Sequence, residues 1–332
     1  MRTPRARKTP SGMWRCQYTK DGKRHSVTRP TQYEAERDAQ LLAGADIPDL
    51  TLTEAIDRYI LERQNILSPS TIAGYRVIQR NRFQSVMDKP ITARIRWQQV
   101  VNDETPGLSP KTIYNSWFFV KTVLEKNNIR VPEITLPQLI HEEHEFFQPD
   151  EIKKFVKLIE GHENEAQFLL CLHGLRKSEM LAVTDSDIKD GYIYVRGSIV
   201  KSEANTYVSR EANKNETSRR MVPIFIDRLK TLPLELTCAP DTIGDRFQRL
   251  CRENGLPQIG LHGLRHSFVS LCYYRKISLM VTMKFGGYAN PTICQKIYTH
   301  LADLELRESE KKLKSFLSPK KSAKKVRKPL KK

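Results

Sequence analysis

Three side chains that can do chemistry, His262, Arg265 and His266, fall close together in the chain. Positions three and four apart share one face of a helix, so a helix would project all three side chains to the same side. Two histidines at this spacing can bind zinc, but Gly263 stands where the zinc-protease motif needs a glutamate. Because no third ligand follows nearby, we expect no metal, and we expect His266 to lie in the core.

A second charged pair, Arg176 and Glu179, follows the turn residue Gly174. A guanidinium group presents a planar fork of donors that matches the oxygens of a phosphate. Glu179 is three residues after Arg176, so an ion pair between them would hold the guanidinium in place. Alone, such a pair is an ordinary helix salt bridge worth about 0.3 kcal/mol. Beside His262 and Arg265, it indicates a phosphate-binding site.

Two more stretches complete a set of four. Lys214 lies in a polar turn before the run Ser-Arg-Arg-Met-Val-Pro, and Gly286-Gly287-Tyr288 comes ten residues before Tyr298. In this order the four stretches resemble those of the tyrosine site-specific recombinases, the phage integrase family. The resemblance covers residues 1 to about 317 and is strongest over 170–300.

The resemblance implies a role for each matched residue. Tyr298 would be the nucleophile, and Arg176 and Arg265 would bind the non-bridging phosphate oxygens and neutralise the developing charge. His262 would support the phosphate and help move the tyrosine proton. Lys214 would be the general acid for the leaving 5′-oxygen. Taken singly, each of these residues would be an ordinary core or surface side chain.

Tyr288 departs from the family pattern, which has histidine or tryptophan at this position. Its hydroxyl can donate a hydrogen bond to a phosphate oxygen, and its ring can pack against the nucleophile helix. We therefore expect activity to survive and include Tyr288 among the site residues.

The implied reaction is DNA strand transfer through a covalent 3′-phosphotyrosyl link, which conserves bond energy and needs neither ATP, a metal nor any other cofactor. Integration and excision of a mobile element then require a homotetramer on double-stranded attachment sites, with a possible accessory host factor or excisionase. Two alternatives stay open at this point. One is DNA relaxation of the type IB topoisomerase kind, and the other is a catalytically degenerate DNA-binding protein.

Three domains and a tail would carry these residues. The sequence of residues 1–46 predicts a small β-plus-helix module with a hairpin turn at Asp21-Gly22. This module is similar to an arm-type DNA-binding domain. Residues 50–137 predict a helical core-binding bundle, and residues 146–317 a mostly helical catalytic domain with a small antiparallel sheet. The fold class is therefore multidomain and mainly α with little β. Asp150 is a candidate helix cap.

Helix starts and core positions can also be placed in the bundle. Thr51 and Glu54 form a capping-box pattern, and Ser68 and Ser109 each precede a proline, which is typical of a helix N-terminus. The aromatic residues expected in the core are Trp97, Trp117, Phe118 and Phe119.

Charge is concentrated at the two ends of the chain. Residues 1–30 hold nine Lys and Arg against one acid, and residues 318–332 hold eight Lys and Arg with no acid, whereas the body is nearly balanced. Such basic ends favour a polyanion partner, with nucleic acid first, although a solvated tail is an equal alternative for 318–332. No run is apolar enough for a membrane helix or secretory signal, and six scattered cysteines indicate reduced thiols. We expect a cytoplasmic, DNA-associated protein of a prokaryotic cell with a disordered tail.

Overall fold

A computed structural model describes residues 5–44, 50–139, 146–211 and 219–317. The chain divides into two compact units, one in 1–142 together with 200–208 and the other in 143–199 together with 209–332. Helices dominate both, and the strands pair in small antiparallel sheets, which confirms the predicted fold class. Lys214 and the tail 318–332 lie outside the described residues.

The N-terminal part of the first unit is a three-stranded antiparallel sheet covered on one face by a helix. Its elements are β1 (Arg7–Lys8), β2 (Trp14–Lys20), β3 (Lys23–Arg29) and α1 (Gln32–Leu42). Asp21 and Gly22 both have positive φ, as a two-residue hairpin loop between twisted strands requires. Cys16 and Val27 pack against Ala35 and Ala39 of α1 in a small buried cluster.

The helical bundle of the first unit has five helices: α2 (Leu52–Leu61), α3 (Pro69–Asn81), α4 (Gln84–Met87), α5 (Trp97–Glu104) and α6 (Pro110–Lys126). The predicted starts are confirmed, because Thr51 makes a capping box with Glu54, and the side chains of Ser68 and Ser109 cap α3 and α6 ahead of a proline. These local signals are reliable because their hydrogen bonds span only three residues.

One aromatic residue of the predicted core is on the surface. Trp97, Trp117 and Phe119 are buried, but Phe118 is 54% exposed. On α6 the buried face includes Ile113, Trp117 and Val120, and Phe118 points away from it and stacks on Tyr114 one turn earlier, so the prediction was wrong for Phe118. Adjacent residues of a helix lie about 100° apart, so a run of aromatics cannot all face inward.

Helix α1 meets the helical bundle through buried charges. The carboxylate of Glu36 pairs with Arg130, and that of Asp38 pairs with Arg94 and with Arg29 of β3. Both carboxylates are less than a tenth exposed. Gln40 also donates a hydrogen bond of 2.6 Å to a bundle carbonyl.

The remaining elements are seven helices and five strands, which in chain order are α7 (Pro149–Leu158), α8 (Glu165–Leu172), α9 (Lys177–Met180), β4 (Ile188–Lys189), β5 (Tyr192–Val195), β6 (Gly197–Lys201), β7 (Tyr207–Glu211), β8 (Arg220–Pro223), α10 (Thr242–Glu253), α11 (Leu261–Tyr274), α12 (Leu279–Gly286) and α13 (Thr292–Leu317). The strands form two sheets, β4-β5-β8 and β6-β7. The first of these sheets carries Arg220.

Helix α11 runs through the core of the second unit. Ten of its residues are buried, and it contacts α7, α8, α12 and α13. Asp150 is not a cap, because α7 begins at Pro149 and the capping box is made by Gln148 and Glu151. The proline ahead of Asp150 fits the first helical position, which moves the cap two residues back. Among the described residues, no helix is both long and apolar enough to cross a membrane.

Candidate active site

Arg176 stands at the start of α9, immediately after the turn that ends α8. Its Nη1 donates to Glu179 Oε1 at 2.6 Å and its Nη2 donates to the Gly287 carbonyl at 2.8 Å. Its backbone N–H donates to Glu179 Oε2 at 2.9 Å, so the expected ion pair is also a capping contact. The side chain stays 39% exposed, which leaves the guanidinium within reach of a ligand.

The Glu179 carboxylate pairs with more than one arginine. Arg220, the first residue of β8, donates from Nη2 to Oε2 at 2.8 Å and from Nη1 to Oε1 at 3.1 Å. Arg265 Nη1 lies 3.7 Å from Oε2. Burial raises the pKa of the Glu179 carboxyl, but the hydrogen bonds and charge of Arg220, and then of Arg176, outweigh it and lower the pKa to about 2. Three guanidinium groups thus share one carboxylate, and the cluster carries an excess of positive charge.

Arg265 on α11 is 1% exposed, the largest fully buried side chain of the described residues. Its Nη1 donates to the Gly174 carbonyl at 2.6 Å, whereas Nε and Nη2 are buried without a hydrogen-bond partner. Burial lowers the pKa of this guanidinium, yet arginine stays protonated at neutral pH. Buried donors with no acceptor are costly, and donors in this position suit a ligand that accepts hydrogen bonds.

Tyr288 covers Arg265. Its ring lies 4.0 Å from the guanidinium carbon, in a cation–π arrangement, and its hydroxyl is buried without a hydrogen-bond partner. Burial raises the pKa of Tyr288 and the charge of Arg265 opposes that rise. Gly286 makes room for the ring, because a Cβ there would come within 2.4 Å of it. Tyr288 also shares a buried cluster with Cys294 and Ile297 of α13, the helix that carries Tyr298.

Tyr298 lies on α13 and is partly buried. Its hydroxyl donates to the Ile277 carbonyl at 3.0 Å and lies 2.9 Å from the hydroxyl of Thr282 on α12. Burial raises the pKa of Tyr298, with the Thr282 hydrogen bond acting in the opposite direction. Within the described chain, its hydrogen bonds are to the α11–α12 connection and α12, not to the arginines. The hydroxyl is therefore protonated at neutral pH and must leave these partners to react.

His262 is exposed on the first turn of α11, and the buried His266 meets its ring edge-on, with centroids 4.6 Å apart. His262 precedes Arg265 by three residues on the same helix, as the spacing predicted. Among the described residues, no group of three His, Cys, Asp or Glu side chains is arranged to hold a metal.

Two residues in contact with the predicted set were not identified from the sequence. Arg220 is in the run Ser-Arg-Arg-Met-Val-Pro, but nothing local pairs it with Glu179, which is 41 residues earlier. Thr282 contacts Tyr298 at a separation of 16 residues. The structure places Arg176, Arg265 and Tyr288 in contact around Glu179 and the end of α12, while Lys214 lies outside the described residues.

Comparison with known proteins gives a family match and several relatives. Residues 145–305 match the Phage integrase family. A tyrosine recombinase XerC-like protein of Caldanaerobacter subterraneus subsp. tengcongensis is 23% identical over 78% of this chain and 81% of its own length. The integrase of Staphylococcus phage L54a is 27% identical over 44% of this chain and 50% of its own length.

Solved structures share the fold. The Tn1549 transposon integrase, in complex with transposon right end DNA, has a TM-score of 0.61 at 18% identity, covering 78% of this chain and 99% of that one. A lambda integrase tetramer bound to a Holliday junction has a TM-score of 0.53 at 15% identity, covering 86% and 96%. These likenesses support a tyrosine recombinase of the integrase type, an enzyme that transfers DNA strands.

Proposed function

We propose that this tyrosine recombinase integrates and excises a mobile DNA element, through a 3′-phosphotyrosyl intermediate on Tyr298. The observation that carries the proposal is Arg265, a buried guanidinium with two unpartnered donors inside a cluster of three arginines on one carboxylate. An excess of fixed positive charge with unused donors fits the non-bridging oxygens of a phosphodiester.

Cleavage begins when the Tyr298 oxygen attacks the phosphorus of the scissile phosphodiester. The new bond joins phosphorus to the tyrosine oxygen, and the bond from phosphorus to the 5′-oxygen breaks. Arg176 and Arg265 stabilise the charge on the non-bridging oxygens, and His262 assists in removing the tyrosine proton. Lys214 protonates the leaving 5′-oxygen, which gives a free 5′-hydroxyl. Attack of a 5′-hydroxyl on the phosphotyrosine reverses these steps and rejoins the strand without ATP or a metal.

Release of Tyr298 precedes this attack. Its hydroxyl must exchange the Ile277 carbonyl and Thr282 for the phosphate. Each of these hydrogen bonds contributes about 1 kcal/mol, which binding of a charged phosphate to the arginine cluster offsets.

We assign 1–46 to arm-type DNA binding, 50–137 to core-site binding, 146–317 to catalysis and 318–332 to nonspecific DNA contact. The outer face of the N-terminal sheet supports the first assignment, because Arg15, Gln17 and Arg24 are exposed there. Exposed donors on the paired strands β2 and β3 fit the base edges of a DNA major groove. Strand exchange between two duplexes then involves four copies on DNA, with an accessory host factor or excisionase setting direction.

A covalent trap tests the proposal. Purified protein and the Tyr298→Phe variant are incubated in EDTA with supercoiled DNA that carries the element's end junctions, and then denatured. We expect a detergent-stable protein–DNA adduct with the wild type and none with Tyr298→Phe, because phenylalanine has no oxygen to attack phosphorus. Peptide mapping of the adduct should place the nucleotide on Tyr298.

Two results would contradict the proposal. Binding at the junctions with no adduct would favour a DNA-binding protein without catalysis. An adduct that relaxes DNA but never joins two different duplexes would favour topoisomerase-like activity.

A further inference from the structure

Arg220 is more deeply buried than Arg176 and uses all its side-chain nitrogen atoms within the protein. Its side chain is 4% exposed. Nη1 and Nη2 donate to the two oxygens of Glu179, and Nε donates to the Phe285 carbonyl at 2.6 Å. Because a guanidinium so engaged and so buried is poorly placed to bind DNA, its contribution must act through the groups that it holds.

The two groups that Arg220 contacts, the Glu179 carboxylate and the Phe285 carbonyl, lie beside site residues on two different elements. Glu179 holds Arg176 directly and lies 3.7 Å from Arg265. Phe285 is near the end of α12, where the Gly287 carbonyl accepts from Arg176 Nη2. The C-terminal carbonyls of a helix carry partial negative charge, which favours two guanidinium groups at this end.

Gly287 shows how closely the end of α12 approaches Arg220. It has a φ of +64°, and a Cβ at this position would be 2.7 Å from Nη1 of Arg220. The next residue is Tyr288, whose ring covers Arg265. The same helix carries Thr282, which contacts the Tyr298 hydroxyl. Helix α12 and the turn that follows it therefore connect the arginine cluster to the nucleophile.

We propose that Arg220 is a positioning residue for strand cleavage. Arg220 links the Glu179 carboxylate to the end of α12. Through these two contacts it fixes the positions of Arg176, Tyr288 and Arg265 relative to one another and to the helix that carries Tyr298. This inference rests on the proposed function, since it concerns the rate of the same reaction. An arginine serving stability alone would change unfolding without a specific effect on cleavage.

The chain offers a matched control in Arg228. Its guanidinium also pairs with a buried carboxylate, that of Glu165, and also donates to a backbone carbonyl, that of Val156. Both pairs lie in the second unit, but Glu165 and Val156 contact none of the site residues through a hydrogen bond of the described structure. Arg228→Met therefore removes a comparable structural contact away from the reaction.

The experiment compares Arg220→Met, Arg220→Lys and Arg228→Met with the wild type on a nicked half-site substrate that traps the adduct. Three quantities are measured: the dissociation constant for DNA, the single-turnover rate of adduct formation at saturating DNA, and the melting temperature. We expect Arg220→Met to bind DNA within about threefold of wild type but to form adduct about 100-fold more slowly, the effect of displacing a charge-stabilising donor. Arg228→Met should show a similar fall in melting temperature while cleaving within about threefold of wild type.

Arg220→Lys keeps the proposal testable where the methionine variant fails to fold. Lysine retains the charge beside Glu179 but lacks the planar fork that reaches both carboxylate oxygens and a carbonyl together. We expect it to fold and to form adduct about tenfold more slowly than wild type. Wild-type cleavage by Arg220→Lys, or equal cleavage by Arg220→Met and Arg228→Met, would overturn the positioning role. Absence of adduct with the wild-type protein would instead contradict the proposed function itself.

Discussion

A buried hydroxyl without a partner costs stability, and Tyr288 carries one beside the unpartnered donors of Arg265. The ring covers the guanidinium in the protein without DNA, and the hydroxyl is available to an acceptor. A phosphate oxygen placed among these donors would satisfy Tyr288 and Arg265 at once.

The Tyr288→Phe substitution should move stability and cleavage in opposite directions. We expect the free energy of unfolding to rise by about 1 kcal/mol, because an unsatisfied polar group is removed while the ring is kept. The rate of adduct formation should fall about 100-fold if the hydroxyl donates to the phosphate. Denaturant unfolding and the single-turnover assay measure the two effects. Unchanged cleavage would show that only the ring of Tyr288 matters.

At the scale of elements, α12 contacts both the arginine cluster and Tyr298, and its glycine end permits the close approach of β8. Gly287 combines a left-handed backbone with a guanidinium 2.7 Å from the position of a Cβ. Gly161 provides a comparison, because it has a φ of +76° but no atom within 4 Å of its Cβ position. Alanine substitutions at the two glycines therefore distinguish the effect of backbone strain from the effect of displacing Arg220.

We therefore expect Gly287→Ala and Gly161→Ala to differ in cleavage. Gly161→Ala should cost about 1 kcal/mol of stability, from the left-handed backbone alone, and leave adduct formation unchanged. Gly287→Ala should cost more and slow adduct formation about as strongly as Arg220→Met, since its methyl group pushes the guanidinium away. Equal rates of cleavage by the two alanine variants would mean that the end of α12 does not determine the positions of the arginine side chains.

Whether a contact could be predicted from the sequence depended on how many residues separate its two partners in the chain. Ser68 and Ser109 were predictable because a helix cap is made within one turn. Phe118 was not, because which face of α6 is buried depends on packing against other helices. The contact of Arg220 with Glu179 spans 41 residues and depends on the placing of β8 beside α9 and α12. The predicted site arginines and Tyr288 came from motif resemblance, and the spacing paired Glu179 with Arg176, but the contacts of Glu179 with Arg220 and Arg265 needed the fold.

At the scale of the whole molecule, the positive charge at the chain ends should affect the affinity for DNA more than the rate of strand cleavage. The eight basic residues of 318–332 add charge to a body that is nearly neutral, while the described site lies within 174–298. Contacts between such residues and phosphates release counterions, so their contribution weakens as salt rises. The tail should therefore change how tightly DNA is held without changing the cleavage step.

Removal of residues 318–332 should reduce the slope of log affinity against log salt by about 0.9 for each phosphate that the tail neutralises. The rate of adduct formation at saturating DNA should stay the same. A chain of full length with these eight residues changed to glutamine separates charge from length and should behave like the truncation. DNA binding measured over a series of salt concentrations decides the matter, and an unchanged slope would argue against any contact between this segment and DNA.

The charged contact between α1 and the helical bundle limits how this enzyme can be re-engineered. Grafting residues 5–44 onto another helical bundle would divide these contacts between two proteins. Here Glu36 and Asp38 travel with the module, whereas Arg130 and Arg94 stay behind. On a foreign bundle Glu36 would lose Arg130, and Asp38 would lose Arg94 but keep Arg29 of the module, so the loss falls mainly on the Glu36 carboxylate. Residues 5–44 should therefore transfer best to a recipient that supplies an arginine beside Glu36.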